Sequence, residues 1–220
     1  DTLTEVYFHL YFNAFQPESM MDVRSRTIKD PDRRVGSRIA GLAPDEVGYQ
    51  KVDVLNQEGQ PLSFEVYGTV LKASLVNPVL PGGSTTFEMN WAAQVPKQIR
   101  RSGWNNKEGI ELTMTQWYPK LAEYDGDGWH ADQYVGREFY GVWGSFDVNI
   151  HIDPKYLVAG TGTLQNAEDI GMGYNGQQKA KRVKRHKKRT WHFTAERVHD
   201  FAFAADPDYV HEEVQIENGP

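Results

Sequence analysis

The 220-residue chain contains no cysteine and no long apolar run. Without cysteine it can form neither disulfide bonds nor thiolate metal sites, which favours a reducing compartment but is also compatible with a bacterial periplasm. No run of eighteen apolar residues and no basic start followed by an apolar segment is present, so we expect no membrane anchor or signal peptide within these residues. Composition alone leaves the localisation open.

The charge is unevenly distributed. The net charge is -6, yet eight of the 24 basic residues fall between Lys179 and Arg189 without an intervening acid. Clustered Lys and Arg can bind phosphate by releasing counterions. This run contains no aromatic residue and lies between a glycine-rich loop and a predicted strand, which is more typical of a solvent-projecting hairpin tip. We therefore expect no nucleic-acid partner.

Alternating apolar and polar residues predict an all-β protein, either a sandwich or a large curved, mostly antiparallel sheet with long loops and at most short helices. A hydrophobic content of 39% is sufficient for one core, and we expect one domain. One short helix is predicted from the spacing of Val35, Ile39 and Leu42. The predicted strands cover Leu3–Phe12, Lys51–Leu55, Leu62–Leu71, Thr86–Ala93, Ile110–Thr115, Ser145–Ile152, Tyr156–Leu164, Thr190–Glu196 and Asp200–Asp206.

Two short motifs resemble metal sites without completing them. His211-Glu-Glu-Val-Gln215 begins like the zinc motif H-E-x-x-H, but Gln215 replaces the second histidine and the surroundings are not helical, which favours a solvated acidic tail. Asp125-Gly-Asp-Gly begins like a calcium loop, but Trp129 and His130 break the ligand series, which favours a tight turn. His9 and His192 lie within predicted strands and are interpreted as structural. No metal site or catalytic residue is predicted.

The irregular segment between the strands at 110–115 and 145–152 is rich in aromatic side chains. Such a segment is too apolar for an idle linker, and exposed aromatic patches usually mark a partner. From composition, sugars, bases and another protein domain are all candidate partners. The aromatic residues are Trp117, Tyr118, Tyr124, Trp129, Tyr134, Phe139, Tyr140 and Trp143.

Five stretches together resemble the amino-terminal domain of aminopeptidase N-like (alanyl aminopeptidase family) zinc metallopeptidases, especially a bacterial branch. They follow the family's order over most of the chain. The stretches are Met114–Lys120, Gly128–Gly141, Ser145–Ile150, Val158–Asn166 and Thr190–Pro207.

The resemblance implies that residues 1–220 form a saddle-shaped β domain of a larger hydrolase, which packs on a thermolysin-like catalytic domain and caps the substrate cleft. Zinc and the peptide substrate then belong to the parent protease, because the family's H-E-x-x-H motif is absent here, and this chain is expected to be inactive in proteolysis by itself. A periplasmic, secreted or membrane-associated parent is favoured by the resemblance.

The same resemblance points to two substrate-binding residues. In the family, the segment matching Thr115 to Tyr118 carries a Gln and, two positions later, a Glu or Gln that reaches the substrate's free amino group. Gln116 matches the first position, whereas Tyr118 replaces the acid or amide at the second. We expect Gln116 at one end of a strand and partly exposed, with Tyr118 nearby.

Two further expectations follow. Family members have one or more strands before the one matching Leu3–Phe12, so we expect a truncated start, an open sheet edge there and self-association through it. The alternative to a peptidase domain is a free-standing β-sandwich module that binds carbohydrate or protein through the same aromatic residues.

Overall fold

The structure, a computed structural model, describes residues 1–29, 34–136, 139–171 and 187–212. It is an all-β fold of several antiparallel sheets, as the alternation predicts. The strands are β1 Leu3–His9, β2 Tyr49–Gln57, β3 Gln60–Pro61, β4 Phe64–Tyr67, β5 Val70–Val79, β6 Phe87–Gln94, β7 Gly103–Trp104, β8 Leu112–Met114, β9 Lys120–Leu121, β10 Tyr124–Asp125, β11 Gly128–Trp129, β12 Gly144–Ile152, β13 Leu157–Gly160, β14 Thr163–Leu164, β15 Arg189–Val198 and β16 Phe203–Asp206. The helices in the described residues are α1 Met20–Thr27, α2 Ala167–Ile170 and a 3-10 turn at Tyr11–Ala14.

The chain divides into two compact units, which we call unit 1 and unit 2. Unit 1 contains Asp1–Asn106 and Met114–Val142, and unit 2 contains Lys107–Thr113 and Trp143–Pro220. Among the described residues, no helix is both long and apolar enough to cross a membrane. The assignment of residues 1–220 as one domain of a larger protein stays a prediction.

Unit 1 is built from sheets of order β4-β5-β1-β9 and β3-β2-β6, with the small hairpin β10-β11. Its apolar side chains form two clusters, and inward-facing residues of β1, β2 and β5 contribute to the first. The first cluster contains Val6, Phe8, Leu10, Val52, Leu55, Leu62, Leu71 and Ala73. The second contains Tyr11, Ala14, Phe15, Met21, Val35, Ile39, Ile99 and Tyr134.

Unit 2 contains a sheet of order β12-β15-β14 and strands of order β13-β16-β8. Strands β12 and β15 pair over most of their length, from Phe146 opposite Ala195 to Ile152 opposite Arg189. One face of β15 is buried through Trp191 and its alternate neighbours, whereas alternate residues of β12 are exposed. This half-buried pattern is the one that the sequence predicts for both strands.

The predicted helix is misplaced. Val35 and Ile39 are buried as predicted, but the backbone from 34 to 41 consists of turns rather than a helix. The helix is α1, which begins after Ser19, whose side chain accepts a hydrogen bond from the Asp22 N–H. Inward-facing turns can bury residues at the same spacing as a helix, so the spacing alone was misleading.

The predicted hairpin tip lies mostly outside the described residues, which resume at Lys187. Lys187 and Lys188 are exposed, but Arg189 is the first residue of β15 and only 7% exposed. Burial lowers the pKa of its guanidinium. The inclusion of Arg189 in an exposed tip was therefore wrong.

The open edge expected at the first strand is found in part. β1 pairs with β5 from Leu3 to His9, whereas β9 pairs with it only at Phe8 and His9. Within the described residues, no other strand pairs with the remaining part of β1. The first half of β1 is therefore an edge, and the strand ends at His9 rather than at Phe12.

Candidate functional site

The turn between β8 and β9 contains both residues singled out by sequence. Gln116 lies two residues after β8, as expected for the end of a strand, but it is only 7% exposed, so the expected partial exposure was wrong. Its backbone has a φ of 49°, in the left-handed region that non-glycine residues avoid. This conformation turns the chain sharply after the strand. The role of Gln116 in substrate binding stays a prediction.

The turn is held in place by neighbouring groups of unit 1. Ser102 Oγ accepts a hydrogen bond from the Thr115 N–H at 3.0 Å and lies 2.7 Å from the Thr115 hydroxyl. On the other side, the Trp117 ring contacts the rings of Trp91 and Tyr118 at centroid distances of 5.9 and 5.4 Å. Tyr118 is half-buried. The segment is therefore fixed at both ends, which a positioning element requires.

A second feature of unit 1 is a cavity of about 520 Å³ that sequence reasoning did not predict. Its lining comes from the end of β1, the residues after β11 and the segment leading to Tyr140. The lining residues are His9, Tyr11, His130, Asp132, Gln133, Tyr134, Val135 and Tyr140.

Hydrogen bonds of the Gln133 side chain hold one wall of this cavity in place. Its Oε1 accepts hydrogen bonds from the Thr69 N–H at 2.8 Å and from the Thr69 hydroxyl at 3.1 Å, and its Nε2 donates to the Tyr67 carbonyl at 2.7 Å. The Tyr134 N–H donates to Thr69 Oγ1 at 2.8 Å. The irregular segment is thus attached to the turn between β4 and β5, and the wall is formed in advance of any ligand.

His9 is one of the residues that line the cavity and is 5% exposed. Its Nε2 lies 3.1 Å from the His130 carbonyl oxygen, which can only accept, so Nε2 carries the proton. Burial lowers the pKa of His9 to about 4, and the charge of Lys120 acts in the same direction. His9 is therefore a neutral imidazole at neutral pH, with Nδ1 as an acceptor.

His130 and Tyr140 form the side of the cavity. His130 Nε2 lies 2.8 Å from Asp125 Oδ1, and the Tyr140 hydroxyl donates to the other Asp125 oxygen at 3.0 Å. The hydrogen bond to Asp125 raises the pKa of His130, and His130 lowers the pKa of Asp125. The Tyr140 ring meets the His130 ring edge to face at 4.6 Å and is 52% exposed.

The tight turn predicted at Asp125-Gly-Asp-Gly is confirmed. β10 and β11 pair through Asp125 opposite Gly128, and the Asp127 N–H donates to Asp125 Oδ1 at 2.9 Å. Both carboxylate oxygens of Asp125 are therefore engaged within the protein. The acidic tail is described only through Glu212, so the incomplete zinc motif lies mostly outside the described residues.

In unit 2, His192 and His151 lie along the exposed face of β12 and β15. His192 Nε2 lies 2.9 Å from Asp147 Oδ1, and His151 Nδ1 lies 2.7 Å from Thr190 Oγ1. Their ring contacts are with neighbouring strand residues, which fits the structural interpretation of His192. Among the described residues of the whole chain, no three His, Asp, Glu or Cys side chains are grouped so that they could hold a metal ion.

No protein-family model and no curated protein matches the chain. Among solved structures, it is similar to M1 zinc metallopeptidases. The match with an M1 zinc metallopeptidase from Deinococcus radiodurans covers 93% of this chain and 35% of that protein's chain, at 13% identity and a TM-score of 0.46. A variant of a two-domain M1 zinc metallopeptidase bound to L-tryptophan matches the same shares at 12% identity and a TM-score of 0.45. The chain thus spans about a third of the length of these proteins.

Proposed function

We propose that the chain is the non-catalytic amino-terminal β domain of a zinc-dependent metallopeptidase of the aminopeptidase type, and that it packs on the catalytic domain and caps the substrate cleft. One observation carries the proposal: five stretches that resemble such domains occur in the family's order. Their positions support it, because they coincide with β8 to β9, β11 with the cavity wall, β12, β13 to β14, and β15 to β16.

Among the described residues, no group of three side chains fits a catalytic zinc ion, which usually has three protein ligands. In the family that the five stretches resemble, the zinc and the hydrolytic chemistry belong to the catalytic domain, and we propose the same division for this protein. The contribution of this chain is to shape the cleft and bind part of the substrate.

Gln116 and Tyr118 are our candidates for that binding. A left-handed non-glycine residue costs about 1 kcal/mol or more and persists where the surroundings enforce it, often at functional sites. The strained turn at Gln116 is such a position. Since Gln116 is buried and Tyr118 is half-buried, Tyr118 contacts the substrate directly and Gln116 fixes the turn that presents it.

Exposed aromatic rings support a protein partner in each unit separately. Tyr140 in unit 1 is 52% exposed, and Trp143 in unit 2 is 70% exposed, with its ring 5.6 Å from that of His199. Aromatic side chains are enriched in protein interfaces, where burying them is strongly favourable. These rings are our candidates for contact with the catalytic domain.

The first test is the coding sequence downstream of Pro220. We expect H-E-x-x-H followed by a more distant Glu in the same reading frame. The full reading frame should then hydrolyse aminoacyl arylamides in a chelator-sensitive manner. A reading frame without this motif would contradict the proposal.

The second test uses Tyr118→Phe in that full-length protein, with Tyr67→Phe as the matched control on the exposed end of β4. Loss of a hydrogen bond to the substrate amine should reduce kcat/KM about tenfold for a substrate with a free amino terminus. The control should retain full activity. Equal kcat/KM for both variants would remove Tyr118 from the substrate site.

A further inference from the structure

The side chain of Ser102 uses its whole hydrogen-bonding capacity on one residue, Thr115. Ser102 is only 5% exposed. Its Oγ accepts a hydrogen bond from the Thr115 N–H at 3.0 Å, donates to the Thr115 carbonyl oxygen, and lies 2.7 Å from the Thr115 hydroxyl. A serine hydroxyl has one proton and two lone pairs. Since the proton goes to the carbonyl, the Thr115 hydroxyl is the donor in the remaining contact.

These three contacts fix the peptide bond that precedes Gln116. The Thr115 N–H and carbonyl lie in the two peptide planes on either side of its α-carbon, so Ser102 holds both planes. The φ angle of Gln116 is the rotation of its backbone relative to the second plane. That angle is 49°, which a non-glycine residue adopts only where its surroundings enforce it. The hydrogen bonds to Ser102 provide such surroundings.

Ser102 is itself held by the loop that carries it. The Trp104 N–H donates to the Pro96 carbonyl at 3.0 Å, and the Gln98 N–H donates to the Trp104 carbonyl at 3.1 Å. Between Ser102 and Trp104, Gly103 has a φ of 146°, and a Cβ there would lie 2.4 Å from the Gln98 Cα, so only glycine fits. The loop therefore sets the position of Ser102 by contacts that do not involve Gln116.

The two residues after Gln116 depend on its φ angle. The Trp117 ring lies 5.9 Å from the Trp91 ring and 5.4 Å from the Tyr118 ring, measured between centroids. If Gln116 returned to the negative φ that non-glycine residues prefer, the chain beyond it would rotate and both rings would leave this arrangement. The position of Tyr118 is thus linked to Ser102 through Thr115 and Gln116.

We propose that Ser102 is a positioning residue of the substrate site: it holds the Thr115 peptide so that Gln116 stays left-handed and Tyr118 stays where it contacts the substrate. Ser102 is buried and acts only through Thr115. The effect on catalysis rests on the proposed function, whereas the effect on the turn concerns these residues alone. The two parts are therefore tested separately.

The first experiment measures the φ angle of Gln116 by NMR in the 220-residue chain, from the coupling between its amide and α protons. In Ser102→Ala the coupling should change to that of a negative φ, and the Tyr118 ring signals should shift. The control Ser63→Ala removes an exposed hydroxyl of unit 1 and should change neither. Thr115→Val keeps the side-chain shape, removes one of the three contacts and should give a smaller change in the same direction. An unchanged coupling in both Ser102→Ala and Thr115→Val would overturn the proposal.

The second experiment uses the full-length protein and an aminoacyl arylamide. Ser102→Ala should raise KM about tenfold and leave kcat within about twofold, because a binding contact is displaced. A loss of folded protein alone would lower kcat and leave KM unchanged. In a Tyr118→Phe background, Ser102→Ala should have no further effect, because the contact that it positions is already lost.

The outcomes separate this inference from the proposed function. A wild type without hydrolytic activity, or a Tyr118→Phe variant with full kcat/KM, would contradict the proposed function of the site, and the coupling of Gln116 would still decide whether Ser102 holds the turn. If Tyr118→Phe loses activity but Ser102→Ala keeps the wild-type KM, Ser102 is not a positioning residue. Losses that multiply in the double variant would show that Ser102 does not act through Tyr118.

Discussion

Replacing His9 with Phe should remove a specific part of the pH dependence of stability. The pKa of His9 is lowered from its ordinary value of 6.5 to about 4, chiefly because the ring is buried. Between these two values the unfolded chain binds a proton that the folded chain does not. The His9 contribution to the free energy of unfolding is therefore complete above pH 6.5 and is lost as the pH falls toward 4.

The size of this effect follows from the two pKa values. At about 1.4 kcal/mol for each tenfold change in proton affinity, the difference between 6.5 and about 4 corresponds to about 3.5 kcal/mol, of which about 3 kcal/mol is lost by pH 4. His130 acts in the opposite direction, since its pKa is raised, and the stability that its ion pair supplies is lost as the pH rises through the raised pKa. The comparison of the wild type with His9→Phe isolates His9, because the two proteins share every other titrating group.

The assay is urea unfolding between pH 7 and pH 4, followed by NMR signals of unit 1. At pH 7, His9→Phe should have a lower free energy of unfolding than the wild type, because the His130 carbonyl loses its donor. Between pH 7 and pH 4 the wild type should lose about 3 kcal/mol more of its free energy of unfolding than the variant does. Direct titration of the His9 ring protons gives the pKa separately. A measured pKa above 6, or a gap between the two proteins that does not vary with pH, would refute the reasoning.

Four further outcomes are expected. In thermal unfolding, Gly162→Ala should destabilise unit 2 by about 3 kcal/mol, because the new Cβ would lie 2.1 Å from the Thr194 carbonyl oxygen. The control is Gly109→Ala, where φ is 90° and a Cβ would meet nothing within 4 Å, and it should cost only about 1 kcal/mol. Gln57→Leu should cost about 2 kcal/mol in urea unfolding, because the Asn77 N–H and carbonyl lose partners at 3.1 and 2.7 Å, and a neutral result would mean that water replaces them. The 220-residue chain should bind no stoichiometric zinc and hydrolyse no aminoacyl arylamide, and chelator-sensitive hydrolysis would contradict this. Sedimentation should show association that increases with concentration through the half-open edge of β1, and a clean monomer would argue against it.

Much of the β architecture could be predicted because alternation is a local property. In β12, Val148 and Ile150 alternate with Asp147 and Asn149, and that pattern remains the same whichever strand pairs with it. The position of the helix could not be inferred so simply. The Ser19 cap marks the start of α1, whereas the helical spacing around Val35 is one that turns also produce.

The candidate sites were less predictable, for two physical reasons. Gln116 adopts a φ of 49°, whereas a non-glycine residue is expected to have a negative φ, so the sequence gives no local signal for this turn. The cavity requires His9 to meet the carbonyl of His130, a partner 121 residues away. Strand pairing and the hydrogen bonds of Gln133 to Tyr67 and Thr69 bring these groups together. Neither kind of contact can be recognised from the alternation of apolar and polar residues.

Unit 2 consists of two stretches that are separated in the sequence, which constrains the order in which the chain can fold during synthesis. Unit 1 has all its residues once Val142 has been made, whereas Lys107–Thr113 belongs to unit 2 and must wait for β16. During that interval β8 lacks β16, with which it pairs in unit 2, and Asp206, whose carboxylate accepts a hydrogen bond from the Glu111 N–H, has not yet been synthesised. A fragment that starts at Trp143 would lack β8 altogether, so a faithful minimal version of unit 2 needs residues 107–113 joined to it by a new linker.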